Sequence, residues 1–298
     1  MRHWIEAARL RTLPLSVSGI IVGTFLAADK GFVNLKITVL ALLTTVGFQV
    51  LSNFANDYGD GVKGTDNDNR IGPKRAIQSG KISPRQMMKA IIITALITLI
   101  IAVSLIYIAF DRENFAMSLT FFLLGIASIA AAIKYTVGSK AYGYVGLGDL
   151  FVLIFFGWLS VVGSYFLYTK ELDWFVFLPA TSIGFLSMGV LNLNNMRDYE
   201  SDKKSGKNTL IVKMGVKFGK IYHFILLNLA IYLALLYTLI FYSSTYQLLF
   251  LPVLIPLGIH VNKVLQNEQP KELDPELKKL AISTFLFSIL FGLGLVFS

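Results

Sequence analysis

Charged residues divide this chain into long apolar stretches. Asp, Glu, Lys and Arg are absent from Thr12–Ala28, Ile37–Asn56, Ala90–Phe110, Asn114–Ile133, Leu150–Thr169, Trp174–Met196, Ile221–Asn262 and Leu280–Ser298. Seven of these runs have 17–23 residues and one has 42. A helix needs about 20 mainly apolar residues to cross a bilayer, so each of the seven predicts one span. The long run predicts two, divided near Tyr242-Ser243-Ser244-Thr245. The expected fold is an all-α integral membrane protein of nine transmembrane helices, one membrane-embedded domain over residues 1–298. Charges ahead of the first run could mark a signal peptide. Its apolar part exceeds the length of a signal core and eight more spans follow, so it reads as the first span.

Composition agrees. The chain is 55% hydrophobic and 15% charged, with a mean hydropathy of +0.64, whereas soluble domains are about 25% charged. The net charge of +9 does not point to nucleic acid, because of where it falls. If nine spans alternate, 23 of the 27 Lys and Arg residues lie on one side, leaving Lys30, Lys36, Arg112 and Lys170 on the other. The positive-inside rule then puts the N-terminus in the cytoplasm and the C-terminus outside. Two long polar connections, residues 57–89 and 197–220, face the cytoplasm, where function is expected. The absence of cysteine removes disulfides, thiolate nucleophiles and Cys-built metal sites. His3, His223 and His260 are scattered without ligand spacing, so no His-built metal site is expected.

Two polar sequences end predicted outside-to-inside helices. The second span closes in Asn53-Phe54-Ala55-Asn56-Asp57-Tyr58-Gly59-Asp60, running on to Asp66. The sixth closes in Asn194-Asn195-Met196-Arg197-Asp198-Tyr199-Glu200-Ser201-Asp202. Both contain Asn-x-x-x-Asp-Tyr, four spans apart. This predicts an internal duplication of a four-helix unit, roughly residues 11–133 and 142–262, with a ninth helix at 280–298. Positions i, i+4 and i+8 share a helical face, which aligns Asn194, Asp198 and Asp202. Asn53, Asn56 or Asp57, and Asp60 do nearly the same. Oxygen ligands without His or Cys suit Mg²⁺ or Ca²⁺, and Mg²⁺ combines one or two carboxylates with substrate phosphates. Two facing clusters would hold two Mg²⁺ ions around a diphosphate. Solvated, capped helix ends are the plainer reading of one such cluster. Two matched clusters on one membrane side, taking seven of 18 acidic residues, argue against it.

Basic residues accompany the acids: Arg70, Lys74 and Arg75 after the first cluster, and Lys203, Lys204 and Lys207 after the second. Lys134-Tyr135 and Arg9/Arg11 are further candidates. Asp149, at the mouth of the fifth span, is either a functional intramembrane group or a hydrated helix-start charge.

Asn56-Asp57-x-x-Asp60 with Asp66, paired with Asp198-x-x-x-Asp202, resembles the two aspartate motifs of the UbiA-type intramembrane prenyltransferases. Asn56 to Asp66 with Arg70-Ile71-Gly72-Pro73, Tyr142 to Asp149, Phe155 to Ser160, and Asn195-x-Arg197-Asp198 with Gly206 to Leu210 resemble the bacterial 1,4-dihydroxy-2-naphthoate prenyltransferases of menaquinone synthesis. Arg11-Thr12-Leu13-Pro14 fits the start of that family. The likeness covers about residues 11–215. It implies helices around a central cavity, in a bacterial inner membrane with the site facing the cytoplasm. It also implies transfer of a polyprenyl group from polyprenyl diphosphate to 1,4-dihydroxy-2-naphthoate, with loss of CO₂, giving demethylmenaquinone. Mg²⁺ would be held by Asn53 or Asn56, Asp57, Asp60 and Asp66, and by Asn195, Asp198 and Asp202. Arg11, Arg70, Lys74, Arg75 and Lys207 would take diphosphate charge. Tyr135 would face the allylic carbocation, and Asp149 or Lys134 would position or deprotonate the aromatic acid. Asp60 and Asp66 are separated by five residues where the superfamily has three. Another acceptor, such as 4-hydroxybenzoate, is the near alternative. A secondary transporter is the remote one, disfavoured because the charges gather at one face rather than at the bilayer midplane.

Overall fold

A computed structural model describes residues 2–65, 71–111, 114–139 and 141–298. Asp66 and Arg70 lie outside the described residues. Among those described there are nine helices long and apolar enough to span a membrane, and no strands. The spans are Leu13–Asp29, Leu35–Lys63, Pro84–Phe110, Phe115–Lys134, Gly148–Thr169, Trp174–Arg197, Val216–Ile240, Thr245–Gln266 and Pro270–Val296. The 42-residue run divides where predicted, between Ile240 and Thr245.

The first span packs against the second, fifth and ninth, and the sixth against the fifth, seventh and ninth. With the ninth, they are the most buried of the nine spans. Small residues permit the close crossings. A Cβ at Gly23 would collide with the Ser164 side chain and the Val161 carbonyl of the fifth span, and one at Gly157 would lie 2.7 Å from the Ala180 carbonyl of the sixth. Gly157 sits in a π-helical stretch, Leu153–Leu159, which widens the fifth span beside the sixth.

The second span determines where the first aspartates stand. It starts on an Asn34 side-chain cap and ends at Gly64 in the left-handed region at φ 71°, as helix stops commonly do. Its 29 residues, at about 1.5 Å each, outrun a hydrocarbon core of about 30 Å. Asp57 and Asp60 lie on this surplus helix, so the connection begins at Gly64 rather than at Asp57. The third span restarts at Pro84 on a Ser83–Gln86 capping box. The sixth span stops at Arg197, and Asp198 leaves helical geometry (φ −94°, ψ 9°) before a short helix, Tyr199–Lys204. The continuous row Asn194, Asp198, Asp202 expected from sequence is therefore bent at its middle member. The sequence pattern also missed a separate helix, Arg2–Ala8, ahead of the first span. It packs on the end of the second span, with Trp4 edge-on to Phe54 at 5.7 Å.

The glycine crossings yield a direct expectation. Gly23→Ala should lower the thermal midpoint in detergent, with an overpacking cost of about 1–3 kcal/mol. Gly258→Ala, where nothing lies within 4 Å of the added carbon, should leave it unchanged.

Candidate active site

The last turns of the second span assign different work to each polar residue. Asn53 donates its amide to the Ala8 carbonyl at 2.8 Å, fastening the N-terminal helix. Asn56 accepts from the Thr136 hydroxyl at 3.3 Å. Asp57, 1% exposed, takes the backbone N–H of Ala76 at 3.0 Å and of Ile77 at 3.2 Å, folding that segment back onto the helix. Asp60 accepts from the Tyr144 hydroxyl at 2.8 Å on one oxygen, and its other oxygen lies 3.7 Å from Arg75 and 4.0 Å from Lys207.

The second motif is organised by Arg197, whose buried guanidinium donates to both Asp198 oxygens at 2.9 and 2.7 Å, to Asn194 at 2.7 Å and to Asp274 at 2.6 Å. Asp202, on the short helix, lies 3.7 Å from the Lys207 ammonium. A left-handed turn at Gly206 (φ 71°) brings Lys207 back over that helix, where its N–H bonds the Asp202 carbonyl at 2.9 Å. Lys207 thus stands between Asp60 and Asp202 and joins the two motifs. Burial alone would depress its ammonium, but the two carboxylates outweigh burial and raise it well above the ordinary lysine range. The Tyr144 ring lies under both Lys63 (4.0 Å) and Lys207 (5.5 Å), and its hydroxyl also bonds Thr65 at 2.6 Å.

Two unlike cavities meet here. A chamber of about 590 Å³ is lined by Arg9, Arg11, Lys74, Arg75, Lys81, Lys207 and Lys278 together with Asn56, Asp57, Asp60 and Asn194. A second cavity of about 330 Å³ is walled mainly by apolar side chains, among them Leu105, Phe121, Phe151, Phe155 and Leu159. Asn56, Tyr135, Val152, Phe156 and Leu191 line both. Burial pushes the Tyr135 phenol up to about 12, so it stays neutral at physiological pH. Its ring meets Tyr142 edge-on at 5.3 Å, and Tyr142 stacks on Phe151 at 3.8 Å. The pair of cavities suits an amphiphile, with an anionic head in the chamber and a hydrocarbon tail in the tunnel.

The expected site residues are not all gathered. Asn56, Asp57, Asp60, Arg11, Lys74, Arg75, Lys207 and Tyr135 line the cavities, and Asp198 and Asp202 reach the chamber through Arg197 and Lys207. Lys134 is exposed and lines neither cavity, because its helix ends with that side chain turned outward. Asp149 is buried away from both, accepting from the Tyr222 hydroxyl at 3.2 Å. Asn195 is likewise buried off the cavity walls, whereas Asn53 lines the apolar cavity while its amide holds the N-terminal helix. Sequence reading missed Tyr144, although it falls in the quoted Tyr142–Asp149 stretch, and Asp274, which carries no motif. It also treated His223 and His260 as scattered, whereas they meet at 2.9 Å. Among the described residues no three His, Cys, Asp or Glu side chains are grouped to hold a metal by themselves.

The UbiA prenyltransferase family profile matches residues 16–293. The chain is 45% identical to the 1,4-dihydroxy-2-naphthoate octaprenyltransferase of Haemophilus influenzae, over 99% of this chain and 96% of that protein. It is 42% identical to the Escherichia coli K12 protein of the same name, over 99% and 95%. The fold is similar to a UbiA homologue from Archaeoglobus fulgidus bound to GPP and Mg²⁺ (TM-score 0.66, 16% identity, 99% of this chain and 100% of that one). It is also similar to a UbiA homologue from Aeropyrum pernix K1 (TM-score 0.71, 13% identity, 93% and 96%). The chain belongs to the UbiA prenyltransferase family.

Removing the Tyr144 hydroxyl tests whether Asp60 is held for use. A hydrogen bond to a charged group contributes about 1.5–3 kcal/mol. Tyr144→Phe should therefore lower kcat/KM about 10- to 100-fold in a prenyl-transfer assay, with the fold intact.

Proposed function

We propose that the protein transfers a polyprenyl group from a polyprenyl diphosphate to 1,4-dihydroxy-2-naphthoate, releasing CO₂ and diphosphate, in menaquinone biosynthesis. The observation that carries this reading is the junction of a charged chamber and an apolar tunnel at Asn56 and Tyr135. The 42–45% identity to proteins named for that reaction supports the choice of acceptor. The two aspartate motifs are read as counterpart ends of a duplicated four-helix unit, roughly residues 11–133 and 142–262.

The donor set fits a hard divalent cation. Asn56, Asp57, Asp60, Asp198 and Asp202 offer only oxygen, and Asp60 and Asp202 lie close enough to share one ammonium. Two Mg²⁺ ions bound there with the diphosphate would supply Lewis-acid neutralisation of the leaving group. Arg11, Lys74, Arg75 and Lys207 take the remaining charge. The allylic C–O bond breaks, and its electron pair leaves with the diphosphate. Phe151, Phe155 and Phe156 keep water from the carbocation, and the neutral Tyr135 ring offers it a π face. The naphthoate carbon bearing the carboxylate forms the new C–C bond. Its C–CO₂ bond then breaks, and those electrons restore the aromatic ring. The carbon attacked has no proton to lose, so this step does not need a base at Lys134 or Asp149. The immediate product is the hydroquinone form.

The purified protein with naphthoate, geranylgeranyl diphosphate and Mg²⁺ should release CO₂ and form a prenylated naphthoquinol. EDTA should abolish this, and Asp198→Asn should reduce it about 10²- to 10³-fold, as for loss of one charge-stabilising contact. Turnover of 4-hydroxybenzoate with no use of naphthoate would reassign the acceptor. Uptake into proteoliposomes without diphosphate cleavage would replace the enzyme with a transporter.

The site is read as facing the cytoplasm of a bacterial inner membrane. Because the chain has no cysteine, single replacements report orientation. A membrane-impermeant maleimide applied to spheroplasts should label Ser298→Cys and spare Lys204→Cys. The opposite pattern would invert the topology.

A further inference from the structure

The last three spans carry none of the recognised motifs, yet the ninth reaches the site. Asp274, in its first turn, accepts from one terminal nitrogen of Arg197 at 2.6 Å. The Nε edge of the same guanidinium and its other terminal nitrogen face the two Asp198 oxygens, and that second nitrogen also reaches Asn194. Arg197 is 2% exposed, and protein groups hold its guanidinium. A planar guanidinium has two usable edges, and a carboxylate on one of them decides which is left for Asp198. The start of the ninth span is a firm base for this. Two residues on, buried Glu276 bonds His260 at 2.7 Å, and His260 bonds His223 at 2.9 Å, linking the seventh, eighth and ninth spans. Lys263 and Lys279 lie 3.2 and 2.8 Å from Glu276.

We propose that Asp274 is a positioning residue for the second aspartate motif. By holding one nitrogen of Arg197, it fixes the guanidinium so that Asp198 is presented to the metal–diphosphate head group. The inference rests on the functional reading above, in which Asp198 helps bind that head group. Asp274 lines the chamber beside Arg197, and the role assigned to it is to hold that guanidinium rather than to contact the reacting carbon.

The test is calorimetric binding of Mg²⁺ with inorganic diphosphate to the full chain in detergent, which needs neither prenyl transfer nor an acceptor. Asp274→Asn should weaken binding about 10-fold, the loss expected for one charge-assisted hydrogen bond, and Asp274→Glu should restore most of it. In an Arg197→Lys background, Asp274→Asn should have no further effect, because the two residues act through one contact. In the transfer assay, Asp274→Asn should raise KM for the prenyl diphosphate and leave KM for naphthoate unchanged. Wild-type-like binding by Asp274→Asn, or additive losses in the double variant, would overturn the proposal. So would loss of the folded, monodisperse protein in Asp274→Asn, since that would make the residue structural. A wild-type chain that binds no diphosphate would overturn the functional reading, and this inference with it.

Discussion

One buried ammonium joins the two halves of this protein's site. Lys207 lies within 4.0 Å of Asp60 and 3.7 Å of Asp202, and all three are nearly inaccessible to water. Moving an ion out of water costs several kcal/mol, and breaking a buried pair by removing one partner costs about 3–5 kcal/mol. The surrounding structure depends on keeping this cluster balanced. The Gly206 turn delivers Lys207, Tyr144 fixes one oxygen of Asp60, and Arg75 stands beside the other. Asp57 uses its own carboxylate to fold the Ala76–Ile77 backbone over the helix end. The second motif repeats the logic with Arg197 shared between Asp198 and Asp274.

The same balance suits the substrate head group. A magnesium diphosphate would bring cations for the carboxylates and an anion for Lys207, Arg75 and Arg11, so these residues would exchange internal partners for external ones of matching sign. The tail meets a different solvent. Beyond Asn56 and Tyr135 the walls become aromatic and aliphatic, and a carbocation formed at that boundary has charge on one side and dry rings on the other. On the proposed reading, the order of the cavities would separate ionisation from hydrolysis.

Much of this was legible in the chain itself. Nine spans could be read because charges interrupt the hydrocarbon-length runs and little else does. The two aspartate motifs could be read because so few acids exist and these recur at matching helix ends. Side-chain assignment within the motifs was harder. Asn53 and Asp57 carry ligand-type oxygens, and their present partners, Ala8 and Ala76–Ile77, are backbone groups that only the folded chain brings near. Lys134 was marked by its charge at a helix end and Asp149 by its depth, and neither reveals which helix face a residue takes. The missed contacts are tertiary: Tyr144 approaches Asp60 across a connection, and Asp274 approaches Arg197 from the last helix. The His223–His260 pair depends on the packing of the seventh span against the eighth, which no spacing announces.

The most direct test of this account is an experimental structure of the protein with Mg²⁺ and a non-hydrolysable prenyl diphosphate. The diphosphate should lie between Asp60 and the Asp198–Asp202 segment, touching Lys207 and Arg75, with the chain passing Tyr135 into the apolar cavity. A diphosphate bound elsewhere, with the Asp60–Lys207–Asp202 cluster undisturbed, would contradict it.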